Sequence, residues 1–363
     1  MFTDFNGTGR KALVRLQTTG ALDTSYNPNV DTTPRPYVAL LAVDPLTNQA
    51  VVNGQLGELT RLNQDGTIDN SFQTAATSYC IGLTGANNRR LIVDRLRRVW
   101  YGRGCVTAGS TEYLVRYLSN GNVDPQFSAA GASNGTVNVL FQQADGLIVA
   151  GGNFNQFLGV ANAPLVRFTD QNFVQVDATF RPTLDAVGSV LRTVRQADGK
   201  LVIGGVFREV NGQPAANLAR LNADGTLDAA FTVPAVNGPV QSLALQADGK
   251  IVLAGDFSTV AGVSSPSIAR LLPNGTYDPG FTSNVVSNRA VTALAIQPDG
   301  AILLGGNSAL TIGGVVPSCT ACCPTGRPTQ PTARTTVPAP PGPCATLPCC
   351  PMAAIMCVGS SLG

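Results

Sequence analysis

A twelve-residue sequence recurs six times in the chain, and this repetition limits the folds that the chain can adopt. The copy that begins at Arg220 reads RLNADGTLDAAF, and the other copies keep an arginine, a turn and an aromatic residue. The copies begin at Arg15, Arg61, Arg116, Arg167, Arg220 and Arg270. Repetition at roughly 50 residues is typical of propellers and repeat arrays, in which each repeat is one supersecondary unit.

Each copy predicts a tight β-hairpin. Residues 222–225, Asn-Ala-Asp-Gly, have the sequence of a type I turn closed by a left-handed glycine. This turn places Leu221 opposite Leu227 on one face of the hairpin and Arg220 opposite Asp228 on the other. The hairpin therefore carries an apolar pair on one face and a charged pair on the other.

The charged pair recurs in five of the six copies. The pairs are Arg15/Asp23, Arg61/Asp69, Arg116/Asp124, Arg220/Asp228 and Arg270/Asp278. The copy at Arg167 has two extra residues before Asp177, so its turn must differ. We predict that the pairs are structural, and that the aromatic residue ending each copy packs between neighbouring units.

A second hairpin lies between the copies, with runs of Val, Ile and Leu on both sides of an Asp-Gly turn. Its clear forms begin at Val137, Val190, Val240 and Val291, and residues 38–54 hold a weaker one. Each unit is therefore two hairpins, or four short antiparallel strands. This predicts an all-β fold and favours a β-propeller blade, with a stacked β-solenoid as the alternative.

The two ends of the repeat region complement each other. Phe2 precedes Arg15 by the spacing that separates Phe207 from Arg220, so the chain begins at the third strand of a blade. The last repeat signal, at residues 302–306, is a second strand with no arginine hairpin after it. We therefore predict about six four-stranded blades over residues 1–315, closed by the N-terminal hairpin. The alternative is a fragment of a longer array. The first residues do not resemble a secretory leader.

Residues 316–363 are rich in Pro and Cys and contain no Asp, Glu or aromatic residue. We expect a disordered tail, or the product of a reading-frame change. Cys319 and Cys322 have a spacing seen in zinc sites, but the chain has no histidine and zinc is disfavoured. No stretch is long enough to span a membrane.

The two cysteines of the repeat region predict a disulfide. Cys80 and Cys105 align with Pro239 and Phe257 of a later unit, and those positions face each other across a hairpin. A disulfide at this distance would argue for an exported protein. Two free thiols are the alternative.

Composition excludes several kinds of chemistry. The absence of histidine removes Ser-His-Asp and Cys-His catalysis and His-ligated metal centres. A net charge of +2 gives no electrostatic case for nucleic acid. Residues 63–69 resemble part of a calcium loop, but they vary between copies as a turn does. We predict no catalytic residue, no cofactor and no metal site.

Two groups of charged residues fall outside the repeat pattern. The first hairpin of the second blade carries five arginines that form either an anion-binding patch or a solvated tip: Arg89, Arg90, Arg95, Arg97 and Arg98. Six acids lack a repeated partner and are candidates for glycoside hydrolysis by paired carboxylates: Asp44, Glu58, Asp94, Glu112, Asp185 and Glu209. Nothing in the sequence groups these acids, which argues against an enzyme.

The units resemble the delta-60 repeat, a bacterial β-propeller repeat, most closely in residues 197–231 and more loosely over residues 2–307. The resemblance implies an exported protein and assigns no biochemical activity. We therefore expect a non-catalytic binding or structural module, monomeric, outside the cell or at its surface, with an unknown protein or glycan as ligand. The alternative is a carbohydrate-active propeller, a lectin or a glycosidase, with acidic residues at the mouth of its channel.

Overall fold

The structure, a computed structural model, consists of strands and turns with one helical turn at Pro125–Ser128 among the residues it describes. The described residues are 4–5, 8–9, 13–17, 21–28, 40–53, 59–74, 90–102, 114–128, 133–161, 164–169, 174–185, 188–283, 285–286, 291–306, 311–312 and 320–322. They fall into two compact units, residues 1–229 with 355–363, and residues 230–354. The prediction of an all-β fold is confirmed.

Six antiparallel sheets follow one another along the chain, each with a first, second and third strand in that order. Their strands are, in the first sheet, Leu40–Val43, Ala50–Asn53, Leu59–Leu62 and a fourth strand Ile68–Gln73; in the second, Arg90–Val93, Val99–Gly102 and Leu114–Tyr117; in the third, Thr136–Gln142, Ile148–Asn153 and Leu165–Phe168; in the fourth, Ser189–Arg195, Leu201–Val206 and Leu218–Leu221; in the fifth, Val240–Leu245, Ile251–Gly255 and Ile268–Leu271; and in the sixth, Val291–Ile296, Ile302–Gly306 and Thr320–Cys322.

The predicted register of the arginine hairpin is confirmed. Leu221 bridges Leu227, and the Asn222 N–H donates to the Thr226 carbonyl at 2.8 Å. The fourth strand is shorter than predicted, because it is a single bridge in the second to fifth sheets and a full strand in the first. In the fifth sheet, for example, the Phe281 N–H donates to the Asp278 carbonyl at 3.1 Å, which closes a turn and ends the strand.

The structure adds small two-stranded hairpins that the sequence analysis did not predict. Three lie between second and third strands, and one stands at the N-terminus in the same register as the hairpin before Arg220. They are Asp4–Phe5 with Thr8–Gly9, Gln156–Phe157 with Val160–Ala161, Glu209–Val210 with Gln213–Pro214, and Thr259–Val260 with Val263–Ser264. A further pair joins Val285–Val286 to Thr311–Ile312.

In the first unit, the first strands of the first four sheets lie side by side in chain order. The faces of successive sheets pack on each other and enclose the core. One cluster joins the second and third sheets around Trp100, Phe127 and Phe168, and another joins the first and second around Phe72 and Tyr101. This order of first strands is the one that propeller blades adopt.

The sixth sheet differs from the prediction of closure. Its third strand is Thr320–Cys322, with Ala321 paired to Leu303 as Arg270 is paired to Val252 in the fifth sheet. The N-terminal hairpin was expected in this place. The strand also lies in the segment predicted to be a disordered tail, most of which is outside the described residues, so the nature of the tail stays a prediction.

Candidate binding site at the turns of the first two sheets

The structure brings together the arginine and the aspartate of all six copies. Arg61 Nε donates to Asp69 at 2.8 Å, Arg220 Nε to Asp228 at 2.7 Å and Arg270 Nε to Asp278 at 2.8 Å. The same contact joins Arg15 to Asp23, Arg116 to Asp124 and Arg167 to Asp177. In the copy at Arg167, the Thr169 N–H donates to the Gln175 carbonyl at 2.9 Å, and the ion pair is kept.

Five of the aspartates divide their two oxygens between the arginine and the turn: Asp23, Asp69, Asp124, Asp177 and Asp278. Asp69 Oδ2 accepts from Arg61, while Asp69 Oδ1 accepts from the N–H and the hydroxyl of Ser71 at 2.9 and 2.6 Å. Burial raises the pKa of Asp69, but the hydrogen bonds from Ser71 and Arg61 outweigh it and lower the pKa to about 2. This carboxylate is therefore ionised at neutral pH.

The arginines also hold neighbouring copies together in the first unit. The Arg61 guanidinium lies over the ring of Phe72 at 4.8 Å, and its Nη1 donates to the Ser119 carbonyl in the turn of the next copy at 2.8 Å. Arg15 reaches Gln64, and Arg167 reaches Ala223, in the same way. The sequence analysis missed this link between one arginine and the following turn.

The aromatic residues pack where the sequence predicts, between neighbouring copies. A Cβ added to Gly225 would lie 3.2 Å from Phe180, which belongs to the preceding copy. The sequence analysis did not predict that the arginine guanidinium lies over the aromatic ring of its own copy. The nearly constant spacing between the arginine and the aromatic residue is the signal that could have shown this contact. The repeated arginines, aspartates and aromatic residues thus contact each other.

A polar pocket of about 410 Å³ lies at the turns of the first and second sheets. Both hairpin turns of a sheet lie at the same end, because successive antiparallel strands alternate in direction. The lining residues of this pocket, which we call the turn-end pocket, are Thr47, Gln49, Arg61, Asn63, Gln64, Asp69, Ser71 and Arg97. Most of these are amide or hydroxyl side chains that can donate and accept hydrogen bonds.

Arg97 enters this pocket from the second sheet. It occupies the left-handed turn position, with φ +60°, where later first hairpins have Gly146, Gly199, Gly249 or Gly300. Its Nε donates to Asp44 Oδ2 at 2.8 Å and its Nη2 to Gln49 Oε1 at 2.7 Å. Its Nη1 has no partner among the described residues, and the side chain is 35% exposed. The pocket therefore presents one open guanidinium edge.

Two acids that the sequence analysis left without partners are paired. Asp44 binds Arg97, and buried Asp94 accepts from Arg98 Nε at 2.8 Å and from Trp100 Nε1 at 2.8 Å. Burial raises the pKa of Asp44, but hydrogen bonds from Thr47, Leu46 and Arg97 hold it below its usual value. The sequence analysis did not assign these partners, because Arg97 and Arg98 come from a turn outside the repeated sequence.

The remaining candidate residues do not form a common site in the described structure. Asp185 Oδ1 accepts from the Arg208 N–H at 3.0 Å, and Glu209 is exposed on the two-residue strand Glu209–Val210. Cys80, Cys105, Glu58, Glu112 and Arg89 lie outside the described residues, and so does the predicted disulfide. Within the described ranges, no group of three or more acidic, Cys or His side chains is placed to hold a metal ion. No helix in those ranges has the length and apolar character needed to cross a bilayer.

The five arginines of the second sheet are not one surface. Arg98 is buried against Asp94, and Arg90 is half-buried on a strand. Trp100 and Tyr101 are core residues. Of the four arginines that the structure describes in this hairpin, Arg95 and Arg97 are therefore the ones that contribute cationic surface.

Comparison with known proteins supports a β-propeller family for the chain. Residues 2–26, 52–72, 196–231 and 246–281 match a family model described as a domain of unknown function (DUF5122) beta-propeller. No curated protein matches the chain. Together, the four matched stretches include sequence from both hairpins of the predicted repeat unit, the Asp-Gly hairpin and the arginine hairpin.

Solved structures resemble the chain at a distance. The extracellular domain of a one-component system from B. thetaiotaomicron matches with a TM-score of 0.44 and 12% identity over 78% of this chain, which spans 33% of that protein. A gluconolactonase from Xanthomonas campestris matches with a TM-score of 0.37 and 14% identity, covering 71% of this chain and 77% of the other. YCF48 bound to D1 peptide matches with a TM-score of 0.42 and 12% identity, covering 78% and 79%. Likeness at this level carries no argument about function.

Proposed function

We propose that the protein is a non-catalytic β-propeller of the delta-60 repeat type that serves as a binding module. One observation carries this proposal: the repeated charged residues neutralise each other, and the turn-end pocket keeps an open guanidinium edge at Arg97. The volume of this pocket lies in the range of ligand sites, and its polar lining suits a polar ligand. We further propose that the propeller has about six blades and that the N-terminal hairpin completes the ring. We also propose that the protein is a monomer and is located outside the cell.

The ionisation of Asp44 and Asp69 favours binding over glycoside hydrolysis. Glycosidases need one carboxyl group that is protonated near neutral pH so that it can act as the general acid. The pKa of Asp69 is lowered to about 2, and that of Asp44 is also lowered. Neither group holds a proton to donate at neutral pH.

A lectin is the second candidate, since Gln49, Asn63 and Gln64 line the pocket with amide groups that suit sugar hydroxyls. A glycan array and a panel of aryl glycosides, applied to the full chain, test both readings. Hydrolysis that the Asp69→Asn and Asp44→Asn variants lose would overturn the non-catalytic proposal. Glycan binding that the Arg97→Gly variant loses would support the lectin.

A further inference from the structure

We propose that the turns of the first two sheets form a docking surface for a segment of a partner protein that carries a carboxylate beside apolar side chains. This proposal rests on the proposed binding function and names the class of partner. The surface consists of the turn-end pocket at Arg97, the neighbouring Arg95, and two leucines at the turn tips, Leu46 and Leu96.

The two leucines are exposed to an unusual degree for apolar residues. Leu46 is 64% exposed and Leu96 is 57% exposed. They occupy matching positions at the tips of neighbouring first hairpins, and each N–H donates to the aspartate that starts its turn, Asp44 or Asp94, at 2.9 Å. The turns are thereby fixed with the leucines on their outer side, where a partner can bury them.

Arg97, the cation of the surface, is linked to both leucines. Asp44 accepts from the Leu46 N–H through Oδ1 and from the Arg97 guanidinium through Oδ2, so one carboxylate holds Leu46 and Arg97 next to each other. Leu96 precedes Arg97 in the chain. An acceptor that binds the open Nη1 edge of Arg97 therefore lies beside the two turns that carry the leucines.

Arg95 adds a second cation at the same turn. Its side chain is exposed and has no ion-pair partner among the described residues, while its N–H donates to Gln142 Oε1 at 3.0 Å. The turn is thus anchored to the third sheet through Arg95 and to the first sheet through Arg97. A surface held in its binding conformation loses less entropy when a partner binds.

The chemistry of this surface selects the class of partner. Two arginine side chains with open donors favour a carboxylate, which binds guanidinium groups through paired hydrogen bonds. Exposed leucines gain from burial against apolar groups, which a protein segment supplies and sugar hydroxyls do not. An acidic segment with flanking apolar residues satisfies both requirements.

The backbone of the turn is consistent with a functional role for Arg97. A residue other than glycine in the left-handed conformation is strained by roughly 1–2 kcal/mol. Four matching turns use glycine and avoid this strain. Strained residues cluster at binding and catalytic sites, where their position is used. The Arg97→Gly variant restores the glycine of the other copies, so it removes the cation and leaves a turn that this fold accepts.

A phage-displayed library of random dodecapeptides, selected on the immobilised full chain, tests the proposal. We expect selected peptides to be enriched in Asp or Glu next to Leu, Ile or Phe. By fluorescence polarisation, these peptides should bind Arg97→Gly at least about tenfold more weakly. They should bind Leu46→Ser several-fold more weakly, and binding to the wild type should weaken with added salt. Arg208→Gln is the matched control, because its exposed guanidine lies beyond the opposite ends of the strands.

Three outcomes would overturn the docking proposal. Peptides without acidic residues, or peptides whose affinity is unchanged in Arg97→Gly, contradict the stated chemistry. An acidic polysaccharide that binds through Arg97, with no peptide enriched over the unselected library, shows that the surface recognises a glycan and leaves the binding function standing. Absence of both peptide and glycan binding overturns the binding function as well.

Discussion

Gly66 and Gly146 have the same backbone conformation in different surroundings, and this allows the contact between successive copies to be measured. Both have φ +90° and close an Asp-Gly turn. A Cβ at Gly146 would meet no atom within 4 Å. A Cβ at Gly66 would lie 2.8 Å from the Pro28 nitrogen and 2.9 Å from the Asn27 carbonyl carbon, in the segment that follows the aromatic residue of the preceding copy.

The two Ala variants should therefore differ in stability. An alanine in the left-handed conformation loses about 1–2 kcal/mol, and this applies to Gly146→Ala and Gly66→Ala equally. At Gly66 the clash is with backbone atoms, and the Asn27 N–H also donates to the Asp65 carbonyl at 2.9 Å. Forcing these segments apart adds about 1–3 kcal/mol. We expect Gly66→Ala to lose about 2–5 kcal/mol in total.

Urea unfolding followed by tryptophan fluorescence measures this difference. The chain has one tryptophan, Trp100, which is fully buried in the same unit as both glycines. With an m-value of about 3 kcal/mol/M, the midpoint of Gly66→Ala should lie roughly 0.3–1 M below that of Gly146→Ala. Equal midpoints, or a lower midpoint for Gly146→Ala, would refute the close contact between one turn and the segment that follows the previous aromatic residue.

Three further predictions concern the ion pairs and the last sheet. Asp124→Asn removes the carboxylate that pairs with buried Arg116 and should destabilise the protein by about 3–5 kcal/mol in urea melts. Asp23→Asn in the exposed copy should have a much smaller effect, and equal losses would contradict this. Folding lowers the pKa of Asp69 from 3.8 to about 2, so ionised Asp69 stabilises the fold above about pH 4 by up to about 2 kcal/mol. This stability is lost as the pH falls through about 2. The Asp69→Asn variant should therefore have a flatter pH–stability curve between these two pH values. Deleting residues 316–363 removes Thr320–Cys322, the third strand of the sixth sheet. We expect the melting temperature to be kept, because the N-terminal hairpin takes the place of this strand, and a drop would contradict closure by that hairpin.

The turns were the most predictable part of the fold. An Asp-Gly turn fixes the register of its own hairpin, so the pairs Leu221–Leu227 and Arg220–Asp228 follow from residues close in sequence. The length of the fourth strand did not follow, because the aspartate and the aromatic residue close a competing turn. The sequence pattern alone does not show which of these local hydrogen-bonded structures is more stable.

The candidate site was much less predictable. Arg97 replaces a glycine of the repeat, and this substitution is a signal that could have been read from the sequence. Its partner Asp44 could not have been assigned, since it lies 53 residues away in another hairpin. Asp94 was likewise counted as unpaired, because the alignment of copies does not show that Arg98 turns back toward it.

By itself, the sequence determined the two hairpins of each repeat, the register of the arginine hairpin, the pairing of five of the six arginines with an aspartate, and the all-β class. These features depend on φ and ψ preferences and on hydrogen bonds within about a dozen residues, so they form wherever the short sequence occurs. The tertiary structure decided which turns meet, and so placed Arg97 against Asp44 and Gln49. That contact depends on how two sheets pack face to face, and the packing is set by the side chains of both sheets together.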